Sequence, residues 1–155
     1  MLRRRARGTL GAFGALAALA AGCGGAGLYD IASGPASGQI GGKPWTVATA
    51  QTNSFLATPT DFWVGLYAET FTPCSQTTTG TNQVVLSVPM ATGDYPFDTE
   101  INATLRDVAS TTNFLVTQGR VKVDQITASA IVGGFTATFD ENNHVSGTFQ
   151  ATICP

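Results

Sequence analysis

The sequence predicts an all-β domain: an antiparallel β-sandwich of about seven to nine short strands, with a closed lipocalin-like β-barrel as the alternative. Three observations carry this prediction. Beyond residue 22 the chain is rich in Thr, Ser, Gly and Val and poor in Lys and Glu. β-Branched residues suit strands, and good surface helix formers are scarce. Several segments alternate apolar and polar residues with a period of two, the mark of half-buried strands. Those segments are short and are separated by turns containing Gly, Pro, Asn and Asp. The 155 residues suffice for one domain and not comfortably for two.

Arg3, Arg4, Arg5 and Arg7 precede the uncharged run Gly8–Gly22, whose apolar centre, Leu10–Ala21, is twelve residues long. That length fits a signal-peptide core and falls short of the roughly 20 residues that span a bilayer. The run has no polar face, so it does not read as a core helix. Residues 1–22 are therefore expected to be an export signal with a helical core. The run closes on Leu19-Ala20-Ala21-Gly22-Cys23. This resembles the lipobox of bacterial lipoproteins, with Ala20 in the place where Leu is commoner. The resemblance implies cleavage before Cys23 and lipid on its thiol, palmitate among the acyl chains. Two or three such chains hold a protein firmly to a membrane. Gly24 resembles the pattern sent onward to an outer membrane in cells that have one. The competing reading is ordinary cleavage after Gly22, which leaves a free thiol. Residues 23–38 are small, Gly/Ser-rich and uncharged except for Asp30. They read as a lipidated flexible tether, of which the fifteen residues after Cys23 reach about 50 Å when extended.

Residues 39–155 are expected to form the single β-domain. Gly41-Gly42-Lys43-Pro44 is a turn that leads into a strand from Trp45 to Ala50. In 61–69, Phe62, Val64, Leu66 and Ala68 share a face. Val84, Leu86 and Val88 do so in 83–89. The stretch 90–98, with Gly93-Asp94 and Pro96, reads as a loop. Residues 99–118 are ambiguous: 101–108 alternates, 114–117 is a possible short strand, and a short helix in 103–113 is the other reading. Val121 and Val123 alternate with Lys122 and Asp124. Ile131, Phe135, Ala137 and Phe139 share a face, as do Val145, Phe149, Ala151 and Ile153. The polar run from Asp140 to His144 between the last two segments reads as a hairpin tip.

The C-terminal run Gly119-Arg120-Val121-Lys122-Val123, Val132-Gly133-Gly134-Phe135-Thr136-Ala137 and Val145-Ser146-Gly147-Thr148-Phe149, ending at Cys154, is similar to small secreted bacterial β-domain lipoproteins. The opening Gly38-Gln39-Ile40-Gly41-Gly42-Lys43-Pro44-Trp45 fits the same group. These are strand-and-turn patterns, so the resemblance implies fold and location and no activity.

Charge narrows the function classes. All ten acids lie beyond Cys23, with only Lys43, Arg106, Arg120 and Lys122 to oppose them, so the processed chain carries a net charge of −6. Such a chain lacks the basic footprint of nucleic-acid binding and any polybasic patch for anionic lipid. With Cys23 lipidated, Cys74 and Cys154 are left in an oxidising compartment, where a disulfide is the simplest outcome and two unpaired thiols the other. Neither sits in a CxxC and His144 is the only histidine, so no zinc site is expected. No cofactor is expected either.

Trp63 and Tyr67 lie opposite the Phe62/Val64/Leu66 face. If that face is the core, the two aromatics point outward and suit sugar stacking or a protein contact. The bland reading is a central strand buried on both sides. Trp45, Tyr95 and Phe97 are candidates to extend the patch. His144 has no nucleophile constellation in view and reads as a solvated turn residue. Asp94, Asp98 and Glu100, and Asp140, Glu141, Asn142 and Asn143, crowd two loops. They could supply oxygens to calcium or a carboxylate pair for hydrolysis, but they read first as solvated turns. Asn102-Ala103-Thr104 matches a glycosylation sequon and reads as coincidence. The chain thus reads as an exported, lipid-anchored binding or structural module of the cell envelope rather than an enzyme. Its partner would be a glycan or an envelope protein, besides the membrane that holds its lipid. A small-ligand carrier of lipocalin type is the alternative, and a hydrolase using loop carboxylates comes third.

Overall fold

The computed structural model describes residues 29–53, 57–75 and 80–155. The expected export signal 1–22 and Cys23 lie outside the described residues. Among the described residues the chain is all-β, with no helix. Eleven strands follow in order: β1 Ser37–Ile40, β2 Lys43–Thr46, β3 Thr49–Asn53, β4 Asp61–Tyr67, β5 Gln83–Pro89, β6 Gly93–Pro96, β7 Ala103–Asp107, β8 Thr112–Val116, β9 Gly119–Ile126, β10 Ala130–Asp140 and β11 Asn143–Cys154.

All belong to one curled, half-barrel sheet with the order β6-β9-β10-β11-β3-β4-β5-β7-β8, and β1 pairs with both β11 and β2. Strand β11 is the spine. Along one side it pairs with β10 from Thr152 back to Asn143. Along the other side it is shared. Ser146–His144 pair with Ser37–Gln39 of β1. Thr152, Ile153 and Cys154 pair in parallel with Gln51, Thr52 and Asn53 of β3. That three-residue ladder is the hydrogen-bonded joint between a β6-β9-β10-β11 layer and a β3-β4-β5-β7-β8 layer. The strands are therefore continuous across the joint instead of dividing into two separate sheets. The ends of the order, β6 and β8, are not paired with each other among the described residues, so the sheet is a half-barrel and not a closed one.

Period-two alternation fills the space between the layers. Val64, Leu66, Val84, Leu86 and Leu105 from one layer are fully buried, as are Val121, Ile131, Phe135 and Ala137 from the other. Each large side chain so buried contributes about 1.5–3 kcal/mol relative to exposure. Phe135 of β10 meets Phe149 of β11 edge to face at 6.1 Å. At the open rim Phe139 of β10 packs on Phe114 of β8 at 5.2 Å, although Phe139 stays 52% exposed. The β1–β2 hairpin closes the lower end. Its Trp45 is buried and donates from Nε1 to the Asn82 carbonyl. Asn82 also donates from Nδ2 to the Ile40 carbonyl and accepts from the Val108 N–H. One amide side chain thus ties the ends of β1, β5 and β7.

Several expectations need correction. Among the described residues there are eleven strands, not seven to nine. Strands β1, β2 and β6 have four residues each. They fall in stretches read as tether, turn and loop, because four residues are too few for alternation to show. The expected strand 45–50 is divided: Lys43–Thr46 turns back on β1 while Thr49–Asn53 crosses to β4. The stretch 99–118 holds β7 and β8 and no helix. Ala68 lies past the end of β4 and is exposed.

The domain boundary at residue 39 also moves. Ala36 is fully buried and Ser37 and Gly38 belong to β1. Ahead of them residues 31–36 form a strap on β10 and β11. Ala36 N–H donates to the Thr148 carbonyl, Thr148 N–H to the Gly34 carbonyl, and Ala32 N–H to Ser146 Oγ. Glycines make the room. A Cβ on Gly147, whose φ is 142°, would stand 2.6 Å from Ala36 Cα, and one on Gly134 would stand 2.9 Å from Ile31 Cγ2. Gly147→Val should therefore displace the strap and lower stability by about 1–3 kcal/mol, read as a drop in Tm and as new protease cleavage within 31–36. Gly80→Ala, where an added Cβ meets nothing within 4 Å, is the matched control and should leave both unchanged.

Candidate functional site

The outer face of the β3-β4-β5 layer carries the aromatic pair. Antiparallel register sets Gly65 between Gln51 and Val85, and Trp63 opposite Ser87. Because side chains alternate along a strand, Trp63, Gly65 and Tyr67 emerge on the side away from Val64 and Leu66. Trp63 is half-buried and Tyr67 is buried, at 8% exposure. Both therefore share the outer face, but only Trp63 offers substantial open surface. Tyr67 lies down along its own strand. A Cβ on Gly65 would come within 2.5 Å of the Tyr67 hydroxyl, so the glycine is what lets the ring lie flat. On its other flank the ring meets Phe71 edge to face at 5.2 Å.

These residues line an open groove of about 140 Å³, with Gln51, Thr52 and Asn53 of β3 on one side and Val85 of β5 on the other. Among the described residues its lining has aromatic and amide groups and no charge. Desolvation by burial holds the Tyr67 phenol above its ordinary value of 10.0, so the hydroxyl keeps its proton in neutral solution.

The groove abuts the covalent joint of the fold. Cys74 and Cys154 form a disulfide with Cα atoms 5.4 Å apart. Cys154 is the last residue of β11 and pairs with Asn53 of β3. Cys74 adopts a φ of 68°, which is unusual for a non-glycine residue. Its N–H donates to Oε1 of Gln51 at 2.8 Å. Cys154 Sγ lies 4.0 Å from the same oxygen and, being in the disulfide, has no proton to donate. Gln51 is 7% exposed and lines the groove, with its carboxamide oxygen committed to the Cys74 N–H.

The other sequence candidates lie elsewhere. Trp45 and Phe97 are core residues, and Tyr95 packs on the core while donating to the carbonyls of Ala91 and Thr92. None of the three extends the patch. His144 sits in β11 opposite Thr138 and Gln39, past the tip of the hairpin. Two of the loop acids, Asp98 and Asp140, serve their own turns, and a third pairs across to β9. Asp98 accepts from the N–H groups of Ile101 and Glu100, which lower its pKa. Asp140 accepts from Asn142 N–H and Asn143 Nδ2, and Asp94 pairs with Arg120 at 2.9 Å. No group of three or more His, Cys, Asp or Glu residues gathers as a metal site among the described residues. Asn102 is buried and its amide donates to the Thr99 carbonyl, which removes it from the reach of a glycosylating enzyme.

Sequence reasoning missed Gln51 and Asn82. Both are single amides within or beside strands, and their importance comes from long-range contacts that leave no local pattern. Comparison of the chain with protein-family models, with curated proteins and with solved structures finds no match.

Two outcomes are expected. Reduction of the disulfide, or Cys154→Ser, should lower the unfolding free energy by at most about 4.5 kcal/mol, the chain-entropy value for a loop of this size, in urea titrations with and without reductant. In alkaline solution the unfolded chain releases the Tyr67 proton before the folded one. Above pH 10 the folded state then binds more protons, and stability falls as pH rises. Tyr67→Phe should flatten that part of the stability profile.

Proposed function

We propose that the protein is an exported, lipid-anchored binding module of the cell envelope, without catalytic activity, and that its receptor face is the Trp63–Tyr67 groove. The observation that carries this reading is the placement of the two aromatics. They share the outer face of β4, beside a buried amide and away from the core. Trp63 supplies an apolar ring with a polar edge, the combination that recognition surfaces favour. The two packed layers act in this reading as a sandwich-like platform that keeps the groove rigid, so that little ordering cost is left for the moment of binding.

The carrier reading would need a chamber among the core side chains. The groove instead opens on the outer face of β3, β4 and β5, and none of Val64, Leu66, Leu86, Leu105, Ile131 or Phe135 lines it. The hydrolase reading would need free, converging carboxylates, whereas Asp94, Asp98 and Asp140 are engaged as described and Glu100 and Glu141 lie in separate turns. The address rests on the lipobox-like end of the apolar run and on the oxidised cysteine pair, which fits an oxidising compartment.

Two measurements test the proposal. Cys23→Ser should leave the chain unlipidated and release it from the membrane fraction, with mass spectrometry of the wild-type N-terminus showing an acylated Cys23. Trp63→Ala should abolish capture of envelope material by the intact protein while leaving Tm within a few degrees. Unchanged capture would remove the groove from the proposal.

A further inference from the structure

We infer that the groove takes a single uncharged sugar ring, and that Gln51 is the residue that selects it. This rests on the binding-module reading and names its ligand.

Three features lead there. The first is size. At about 140 Å³ the groove is well below the roughly 300–1,000 Å³ of sites that enclose drug-sized ligands. It has room within its walls for one ring or a chain end. The second is charge. Among the described residues no ionisable group but the Tyr67 phenol lines the groove, and burial favours the neutral form of that phenol. The ten acids of the chain against four cations beyond Cys23 disfavour an anionic ligand at any range. A cationic ligand would find no carboxylate in the lining to compensate its desolvation.

The third is the polarity of the one buried amide. Gln51 has two ends, and the fold has used one. Oε1 accepts from Cys74 N–H at 2.8 Å, so the carboxamide cannot turn over without losing that bond. Nε2 makes no hydrogen bond among the described residues, and Gln51 lines the groove with 7% of its surface exposed. The groove therefore presents a donor and asks for an acceptor. A sugar hydroxyl or acetamido oxygen answers that demand, while the ring's apolar C–H face meets Trp63 over the Tyr67 floor. A site built around a hydrogen bond rejects ligands that leave it unmade, because the buried group then has no partner.

The test uses the intact protein, purified in detergent, with changes in tryptophan emission as the readout. The probes are N-acetylglucosamine oligomers and glucose oligomers as neutral ligands, and galacturonate oligomers as the anionic comparison. Saturable binding of a neutral series without binding of the anionic one is expected. Gln51→Glu is the informative variant. A carboxylate oxygen still accepts from Cys74 N–H, so the joint survives, but the donor is gone. At least tenfold weaker binding is expected, with Tm and the disulfide preserved. Gln51→Met checks the same point without adding charge. Equal binding by wild type and both variants overturns the role of Gln51. If envelope capture depends on Trp63 but no neutral oligomer binds or competes, the sugar assignment falls and the binding module stands. If Trp63→Ala changes neither capture nor oligomer binding, both fall together.

Discussion

Three residues hold the two halves of this protein in one sheet. Thr152, Ile153 and Cys154 run parallel to Gln51, Thr52 and Asn53, and they form the ladder that joins the β10–β11 layer to the β3–β4–β5 layer. A parallel ladder of that length is a weak joint by hydrogen bonds alone. It is reinforced where it ends. Cys154 closes it covalently onto Cys74, and Gln51 bonds Cys74 in turn. The outward face of the same three β3 residues walls the groove. Fold and candidate site therefore depend on one joint, and the carboxamide of Gln51 belongs to both.

How much of this was legible in the sequence follows from the range of each interaction. Alternation marked the long strands because burial on one face is written every second residue. Val64 and Leu66, Ile131 and Phe135, and Val145 and Phe149 all proved to be core. The disulfide was legible by counting cysteines. The four-residue strands were not, since their existence depends on partners far along the chain: β1 on β11, and β6 on β9. The split of Trp45–Ala50 into two strands was hidden for the same reason. Its two halves bond to different neighbours, and nothing local at Val47-Ala48 announces it. At the candidate site, Trp63 and Tyr67 were visible as a same-face pair, but the flattening of Tyr67 onto Gly65 and the part played by Gln51 needed the sheet to be assembled.

The polar residues divide by the same logic. Asp98 and Asp140 look in sequence like material for chemistry. In the fold each satisfies backbone or side-chain groups of its own turn, and Asp107 does the same, accepting from Ser110 Oγ at 2.6 Å and from Ala109 N–H. A small β-domain has many tight turns, and short polar side chains are the cheapest way to satisfy them. Acids crowded into turns are thus a poor guide to activity in such a chain.

The strap changes how an anchored form of this chain would behave under load. A slack leader of fifteen residues would let the domain swing freely. With the chain docked from Ile31 onward, only the residues between Cys23 and Ile31 are left, a reach of about 28 Å at full extension. A pull on the lipid would then enter the domain through the Gly34–Thr148 and Ala36–Thr148 hydrogen bonds, directly onto the spine strand β11. Tension would be carried by the strand whose far end is stapled at Cys154, so an anchored domain would be strung between its anchor and its own disulfide like a cable between two fixings.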